Sequence, residues 1–155
     1  MVESFVQAVI TAVVGITILL ALYFRHWVPV VLVLIPLFLT TLFTFAFIQI
    51  TGMTLNMANI LVVPLIFGLG VDTGIHVVHR YHQSYDLNEM LFSSTSKAVL
   101  ISALTTIGTF ISLSFSAHKG AASIGLLLSV AISLLLITTF IVLPALLAAF
   151  DKRTK

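Results

Sequence analysis

The chain has 155 residues, of which 60% are hydrophobic and only 8% are charged, and its mean hydropathy is +1.23. Soluble domains carry roughly 45–50% apolar and about 25% charged residues, so this composition excludes a soluble fold and indicates a protein whose solvent is lipid. The formal net charge of +2 includes no run of Lys and Arg that would bind nucleic acid, and the lack of Cys excludes disulfides and thiolate metal sites.

Apolar runs of membrane-spanning length follow one another along the chain. The first begins near Phe5 and, at about 20 residues, has the length of a transmembrane helix rather than that of a signal-peptide core. Because lipid offers the backbone no hydrogen bonds, the runs must be helical, and the sequence predicts an all-α membrane protein that forms one transmembrane unit over residues 1–155. The predicted five-helix bundle has spans at 5–24, 27–49, 57–79, 98–117 and 121–149.

The polar stretch 86–97, between the third and fourth spans, has features of a further short helix. Asp86 and Glu89 have the spacing of a capping box, with Asp in place of Ser or Thr as the N-cap. The periodicity leaves two interpretations open, a short interfacial helix on the inner membrane surface or the start of the fourth span extended into water. One face of this helix would hold Leu87, Met90, Leu91 and Ser94.

The distribution of Lys and Arg predicts the direction in which the spans cross the membrane. Six of these residues fall on one side, and Lys119 is alone on the other. The bias predicts an N-terminus outside and a C-terminus in the cytoplasm. A first span that starts outside the cell normally follows a segment of the same protein that has already been exported. We therefore expect the chain to be part of a longer protein. The six cytoplasmic cations would be Arg25, Arg80, Lys97, Lys152, Arg153 and Lys155.

Asp72 is the only acidic residue well inside a predicted span. An intramembrane carboxylate costs on the order of 3 kcal/mol and is tolerated where it faces the bundle interior or water. Two interpretations are open: a fixed hydrogen bond that holds the bundle together, or a proton carrier, which is favoured because such carboxylates usually mark ion or proton pathways. At about 100° per residue, His76 and His79 lie within roughly 60° of Asp72, and His76, one turn away, is the candidate relay partner.

The histidines of the third span do not have the spacing of a metal site. Steps of three residues from His76 to His79 and His82 spread the rings around the helix, and the last of them lies beyond the span. This is not the His-Glu-x-x-His arrangement in which a zinc protease holds its metal and its base. We therefore expect no metal, no cofactor and no enzymatic activity, and an intramembrane metalloenzyme is the least favoured interpretation.

Glycines on the third span predict where other helices approach it. Gly70 and Gly74 lie opposite the carboxylate in small-xxx-small spacing, which permits close helix contact. Gly68, on the carboxylate's own face, and Gly108, in the fourth span, are further candidate positions for helix packing. Pro64 removes a backbone donor two turns before the carboxylate and predicts a kink there.

The fourth span carries a stripe of hydroxyl side chains that recur at steps of three or four. Counted from the inner ends of their spans, Asp72 and Thr105 both lie about 10 Å deep, so that Thr105 or Thr106 would reach Asp72 if the two spans pack. The hydroxyls would then form a polar site with Asp72, although each can instead bond a carbonyl of its own helix. The stripe consists of Ser102, Thr105, Thr106, Thr109, Ser112 and Ser116.

Two parts of the chain resemble the resistance–nodulation–division (RND) superfamily. The first is Gly-Leu-Gly-Val-Asp at 68–72, within a longer similar stretch that begins at Asn56, and it looks like the family's Gly-x-Gly-Val-Asp span. The second combines Ser-Ala-Leu-Thr-Thr at 102–106 with Leu-Pro-Ala-Leu-Leu at 143–147. The resemblance covers nearly the whole chain, and the chain looks most like the MmpL-type and hopanoid-type lipid exporters of bacteria.

The resemblance implies a place in a larger transporter. The five spans would be spans eight to twelve, the C-terminal half of a twelve-span protein, whose N-terminal half and extracytoplasmic domains are absent here. In that superfamily the acidic residue takes part in proton coupling, which implies this role for Asp72, with His76, Thr105 and Thr106 as candidate partners. We therefore expect the membrane portion of a proton-motive-force-driven exporter of lipids or other hydrophobic compounds, located in the bacterial inner membrane.

The expected partners follow from the same interpretation. They are membrane lipid, a hydrophobic cargo, the missing N-terminal half and further copies of the protein, since superfamily members assemble as dimers or trimers. The alternative is a lipid- or sterol-sensing bundle that binds a hydrophobic ligand without transporting it. The sterol-sensing domains of eukaryotes resemble the chain in architecture.

Overall fold

The computed structural model describes residues 2–53, 61–84 and 86–154, with side chains at all of these positions except 2–5, 8, 84 and 150–154. In these ranges the chain is helical and contains no strand, which confirms the all-α class. The helices are α1 (Val2–Phe24), α2 (Trp27–Thr51), α3 (Val62–Ser84), α4 (Leu87–Leu91), α5 (Ser94–Ser114) and α6 (Lys119–Thr154).

Among the residues whose side chains are described, four helices are long and apolar enough to cross a membrane. They are α2, α3 over Val62–Gln83, α5, and α6 over Lys119–Ala149. The first predicted span corresponds to α1, whose side chains are described without a gap over the apolar stretch Val9–Phe24. The chain is therefore a multi-pass membrane protein built as a helical bundle with a short additional helix, as the sequence predicts.

The long helix α6 is the central element of the bundle. It packs against α5, α2 and α3, whereas α1 packs against α3 and α2. The larger core cluster joins α1, α2, α3, α4 and α6 around side chains such as Leu20, Val33 and Phe67. A second cluster forms where the C-terminal end of α2 meets the first turns of α3 and the N-terminal half of α6. Few residues of α5 are buried, so this helix lies at the periphery.

The link between α1 and α2 and the end of α2 are tight turns that fall in the gaps between predicted spans. Arg25, one of two linking residues, has a φ of 54°, a left-handed conformation that is uncommon outside Gly. Gly52 ends α2 with a φ of 65°, and the next N–H, that of Met53, donates to the carbonyl of Ile48 at 3.2 Å. A left-handed glycine of this kind terminates many helices because it carries no Cβ.

The predicted kink at Pro64 is wrong. The structure begins α3 at Val62, so Pro64 lies in the first helical turn, where the missing N–H has no intrahelical partner to lose. Prolines inside helices occur instead at Pro36 of α2 and Pro144 of α6. The start of the third span predicted at residue 57 lies outside the described residues.

The polar stretch 86–97 combines both sequence interpretations. A separate helix, α4, forms over five residues, and Asp86 caps it by accepting the N–H of Asn88 at 2.8 Å. Ser93 then caps α5 by accepting the N–H of Ser96 at 3.1 Å, so residues 94–97 already belong to the first turn of the fourth span. The Glu89 carboxylate accepts a hydrogen bond from the Arg80 guanidinium at 2.9 Å, and this ion pair connects α4 to the end of α3.

The apolar face of α4 is turned toward the bundle. Met90 is fully buried, and Leu87 and Leu91 are partly buried against the larger core cluster, while Ser94 is exposed. The carbonyl of Met90 accepts hydrogen bonds from the hydroxyls of Ser93 and Ser96 at 2.7 and 2.6 Å. This short helix is thus fixed to the bundle by packing and joined to α5 by buried hydrogen bonds.

Candidate functional site

A cavity of about 420 Å³ lies between α3, α5 and α6 and contains the carboxylate that the sequence singles out. The α3 wall includes Asp72, and the α6 wall is formed by Ile132, Leu135 and Leu136, which are apolar. The cavity is therefore lined by both polar and apolar side chains, and among the described side chains Asp72 is the acidic one that lines it. Its polar lining side chains are Asp72, Thr73, His76, Thr95, Ser102 and Thr106.

The structure brings Asp72 and His76 together, one turn apart on α3. Their closest atoms, Asp72 Oδ1 and His76 Nε2, are 3.4 Å apart, and 78% and 55% of the two side chains are exposed. Charge-assisted hydrogen bonds are typically about 2.7–2.9 Å long, so this contact is loose. The carboxylate therefore keeps most of its hydrogen-bond acceptor capacity for an occupant of the cavity.

His79 and His82 do not join this pair. The His79 ring packs edge-on against Tyr23 of α1, with ring centroids 6.4 Å apart, and contacts Gln83 at 3.2 Å. The Nδ1 atom of His82 lies 2.9 Å from the carbonyl of Val78. Among the described residues, no three His, Asp or Glu side chains come together in a way that would hold a metal ion.

The two candidate threonines on α5 have different positions. Thr106 lines the cavity together with Ser102, one turn earlier, whereas Thr105 is exposed and does not line it. Consecutive helical residues differ by about 100°, so counting depth along the axis could not decide which of the two faces α3. In the described part of the chain, neither threonine forms a hydrogen bond to Asp72.

The hydroxyl stripe on α5 is bonded to its own helix. Thr105 donates to the carbonyl of Ile101 at 2.8 Å, and Thr106 donates to that of Ser102 at 2.8 Å. Thr109 and Ser112 do the same with carbonyls three or four residues earlier. Of these four hydroxyls, that of Thr106 lines the cavity, and because its donor is used locally it can act there only as an acceptor.

The glycine pair opposite the carboxylate lies where α3 packs. A Cβ on Gly74 would come within 2.6 Å of Val33 Cγ1 on α2, and one on Gly70 would meet the side chains of Leu37 and Leu135. Gly68 and Gly108 are exposed, and a Cβ at either would have no neighbour within 4 Å in the described chain. One face of α3 is therefore fixed against α2 and α6, while the face with Asp72 borders the cavity.

Gly125 is a close-packing residue that the sequence analysis does not identify. A Cβ there would lie 2.6 Å from the backbone nitrogen of Ser114 and 2.7 Å from the carbonyl oxygen of Phe110. The backbones of α5 and α6 thus approach each other directly at this point. Small residues at steps of four, Ala121, Gly125 and Ser129, carry the sequence signal that would have indicated it.

A buried hydrogen bond between α2 and α6 is the second feature that sequence reasoning missed. The Oγ1 atoms of Thr40 and Thr138 are 2.7 Å apart, and both residues are buried. The Thr40 hydroxyl also donates a hydrogen bond to the carbonyl of Pro36, one turn earlier on α2, at 2.8 Å. No spacing pattern within either helix pairs these two threonines, because they are 98 residues apart in sequence.

A second, smaller cavity of about 200 Å³ lies among α1, α2 and α3. Its lining is almost entirely apolar and includes Val9, Ile10, Phe38 and Phe67. The hydroxyl of Thr41, the one polar lining side chain, donates to the carbonyl of Leu37 at 2.9 Å. This cavity contains no titratable group and suits a hydrocarbon occupant.

Curated relatives cover the chain almost from end to end. The hopanoid transporter HpnN of Burkholderia multivorans is 35% identical over 146 residues, which are 94% of this chain and 16% of that protein. HpnN of Rhodopseudomonas palustris is 36% identical over 146 residues, 94% of this chain and 17% of the relative. A putative membrane protein of Methanocaldococcus jannaschii is 29% identical over 157 residues, 97% of this chain and 40% of the relative.

The chain spans less than a fifth of the length of the two hopanoid transporters. These matches confirm the resemblance to hopanoid-type and MmpL-type exporters that the two motif regions indicate. The family model described as the MMPL family matches residues 3–154, which is nearly the whole chain. The chain therefore belongs to the MMPL family.

Proposed function

We propose that this chain is the proton-coupling membrane portion of a larger transporter that exports lipids or other hydrophobic compounds. The observation that carries the proposal is the position of Asp72, an acidic side chain within a span that lines a cavity between α3, α5 and α6. The names of the two HpnN relatives support a lipid of the hopanoid class as cargo. The remaining parts of the transporter would handle the cargo outside the membrane of a bacterial cell.

Protonation of Asp72 would remove the charge that faces the cavity and weaken the contact with His76. The opposite face of α3 is packed at Gly70 and Gly74, so we expect α3 to stay in place. The peripheral helix α5 has few buried residues and meets α3 across the cavity, so it is the element that we expect to shift. In this mechanism Thr106, rather than Thr105, is the residue of α5 that senses the protonation state of Asp72.

The proposal predicts that Asp72→Asn abolishes export in a complete transporter that carries this segment. The amide is nearly the same size as the carboxyl group but cannot exchange a proton. Lipid export from intact cells would fall to background while the protein remains in the membrane. The matched control is Asp86→Asn, which keeps a good N-cap on α4 and should retain export. Normal export in the Asp72→Asn variant would disprove the coupling role.

A lipid- or sterol-binding bundle without transport is the second candidate function. The apolar cavity among α1, α2 and α3 favours it, because a hydrocarbon ligand could bind there without any titratable group. The two functions differ in their dependence on Asp72, which does not line that cavity. Binding of a lipid that persists without a pH gradient and in Asp72→Asn, together with no export, would favour the binding module.

A further inference from the structure

When Asp72 is ionised and His76 is neutral, no described side chain that lines the cavity compensates the negative charge. The titratable lining residues of this cavity are Asp72 and His76, both on α3. The α5 wall adds Thr95, Ser102 and Thr106, the α6 wall is apolar, and no Lys or Arg among the described side chains lines the cavity. A carboxylate at membrane depth without a fixed cation attracts a mobile one, because charge is costly in this environment.

The hydroxyls around the carboxylate favour a cation as well. Thr73 donates its hydroxyl proton to the carbonyl of Leu69 at 3.1 Å, as Thr106 does to that of Ser102. A hydroxyl whose only proton is used in this way can only accept, so both present oxygen lone pairs. Carboxylate and hydroxyl oxygens are the ligands that hard cations prefer.

The volume of the cavity determines how such a cation would be held. A water molecule takes up about 30 Å³ in the liquid, so a cavity of this size admits several. An ion at Asp72 would therefore keep much of its hydration shell and would be selected by charge rather than by a close fit. One carboxylate balances one positive charge, which favours a monovalent over a divalent cation.

The charge state of the His76 ring determines whether the Asp72 charge is already compensated. When its ring is neutral, the Asp72 charge remains available to an ion. When the ring is protonated, its own positive charge lies 3.4 Å from the carboxylate and compensates it internally. Among the described side chains of α5 and α6, no titratable group lines the cavity to oppose this exchange.

We infer that the cavity binds a hydrated monovalent cation, such as Na⁺, at Asp72 while His76 is neutral, and that protonation of the pair expels it. The inference rests on the proposed function, because it names a second ion that exchanges with protons at the coupling site. The transporter would then respond to sodium as well as to pH.

The test is sodium-23 NMR of the full chain in lipid nanodiscs, with choline as the only other cation. At about pH 8 we expect saturable broadening of the sodium signal, and at about pH 5.5 an apparent affinity at least about tenfold weaker. Asp72→Asn should weaken binding at about pH 8 by at least about tenfold. The matched control is Ser112→Ala, which removes a hydroxyl of the same α5 stripe outside the cavity and should leave binding unchanged.

Two results would overturn the inference: no saturable sodium binding at about pH 8, or equal binding by the wild type and Asp72→Asn. Circular dichroism of each variant would show that the helices are intact. In His76→Gln, the loss of affinity between about pH 8 and pH 6.5 should be smaller than in the wild type, and an equal loss would exclude His76 as the competing cation. If sodium does not bind but Asp72→Asn still abolishes export, this inference fails and the proton-coupling proposal stands.

Discussion

Gly125 and Gly108 show how differently two glycines in neighbouring helices are used. A Cβ added to Gly125 of α6 would lie 2.6 and 2.7 Å from backbone atoms of α5. Backbone atoms cannot move aside as a flexible side chain can. Gly108 of α5 has open space in the described chain. In lipid, where burial of apolar surface does not drive helix association, such close contacts account for much of the packing.

We therefore expect Gly125→Ala to destabilise the bundle by about 1–3 kcal/mol, the range typical of overpacked cores. Gly108→Ala should have no such cost and should gain up to about 1 kcal/mol from helix propensity. The free energy of unfolding in mixed detergent micelles would measure both. Equal stabilities of the two variants would show that α5 and α6 do not meet at this glycine.

At the residue scale, the sequence identifies the candidate site and packing residues more reliably than it predicts the direction in which their side chains face. Asp72 with His76, and the glycines 70 and 74, could be assigned to two faces of α3 because residues of one helix share a known periodicity. Depth along a helix axis can also be counted, and it identifies Thr105 and Thr106 together. The rotation of α5 about its axis depends on packing against α6, so the sequence alone does not decide which of the two faces α3.

The short helix α4 shows what fixes an element at the end of the bundle. Its ion pair, Arg80 with Glu89, is partly exposed, with 25% of the arginine and 57% of the glutamate side chain accessible. Exposed pairs of this kind contribute roughly 0–1 kcal/mol. Met90, by contrast, is fully buried in the larger core cluster. Packing should therefore outweigh charge in holding α4 in place.

This comparison predicts that Met90→Ala costs about 2–5 kcal/mol of unfolding free energy, the range for truncating a buried Met, Leu or Ile. Glu89→Gln, which keeps the shape but removes the charge, should cost no more than about 1 kcal/mol. Thermal unfolding of the purified variants in detergent would rank them. A larger effect of Glu89→Gln than of Met90→Ala would mean that the ion pair is what anchors α4.

The helices themselves could be predicted because apolar runs and capping residues act locally. The gaps between the predicted spans at 25–26 and 50–56 both contain a helix end, and Asp86 caps α4 as its spacing predicts. Helix ends that are assigned from apolar runs alone are predicted less accurately. For example, α5 begins four residues before the predicted start of the fourth span, because Ser93 supplies a cap. The Pro64 kink failed because a proline's effect depends on its distance from the helix start.

On the scale of the whole molecule, the orientation in the membrane remains a prediction from the cations. The ends of α1 and α3 lie close together, as the contact between Tyr23 and His79 shows, and Arg25 and Arg80 are near them. The opposite end of the bundle holds the link between α5 and α6, with Lys119. The Lys and Arg bias places the first of these ends in the cytoplasm.

Single cysteines test this orientation directly, because the chain has no cysteine of its own. Ala117 and His26 are both exposed, in links at opposite ends of the bundle. A membrane-impermeant thiol reagent would be applied to cells whose outer membrane has been permeabilised. We expect it to label Ala117→Cys, and to label His26→Cys only after the inner membrane has also been permeabilised. The reverse pattern would contradict the predicted direction.

The exposed cavity and the peripheral position of α5 also belong to the scale of the whole molecule. Asp72 is mostly exposed in this chain, although a carboxylate at this depth must face protein or water. The chain covers less than a fifth of its hopanoid-transporting relatives, and we propose that another part of the transporter packs on this side.

The most direct test of proton coupling at Asp72 is proton movement itself. A complete transporter carrying this segment would be reconstituted into liposomes that contain a pH-sensitive dye, with a pH gradient and the lipid cargo supplied. We predict cargo-dependent proton flux in the wild type, none in Asp72→Asn, and flux near the wild-type level in the control Asp86→Asn. Cargo-dependent flux that persists in Asp72→Asn would show that protons cross elsewhere and would contradict the central claim.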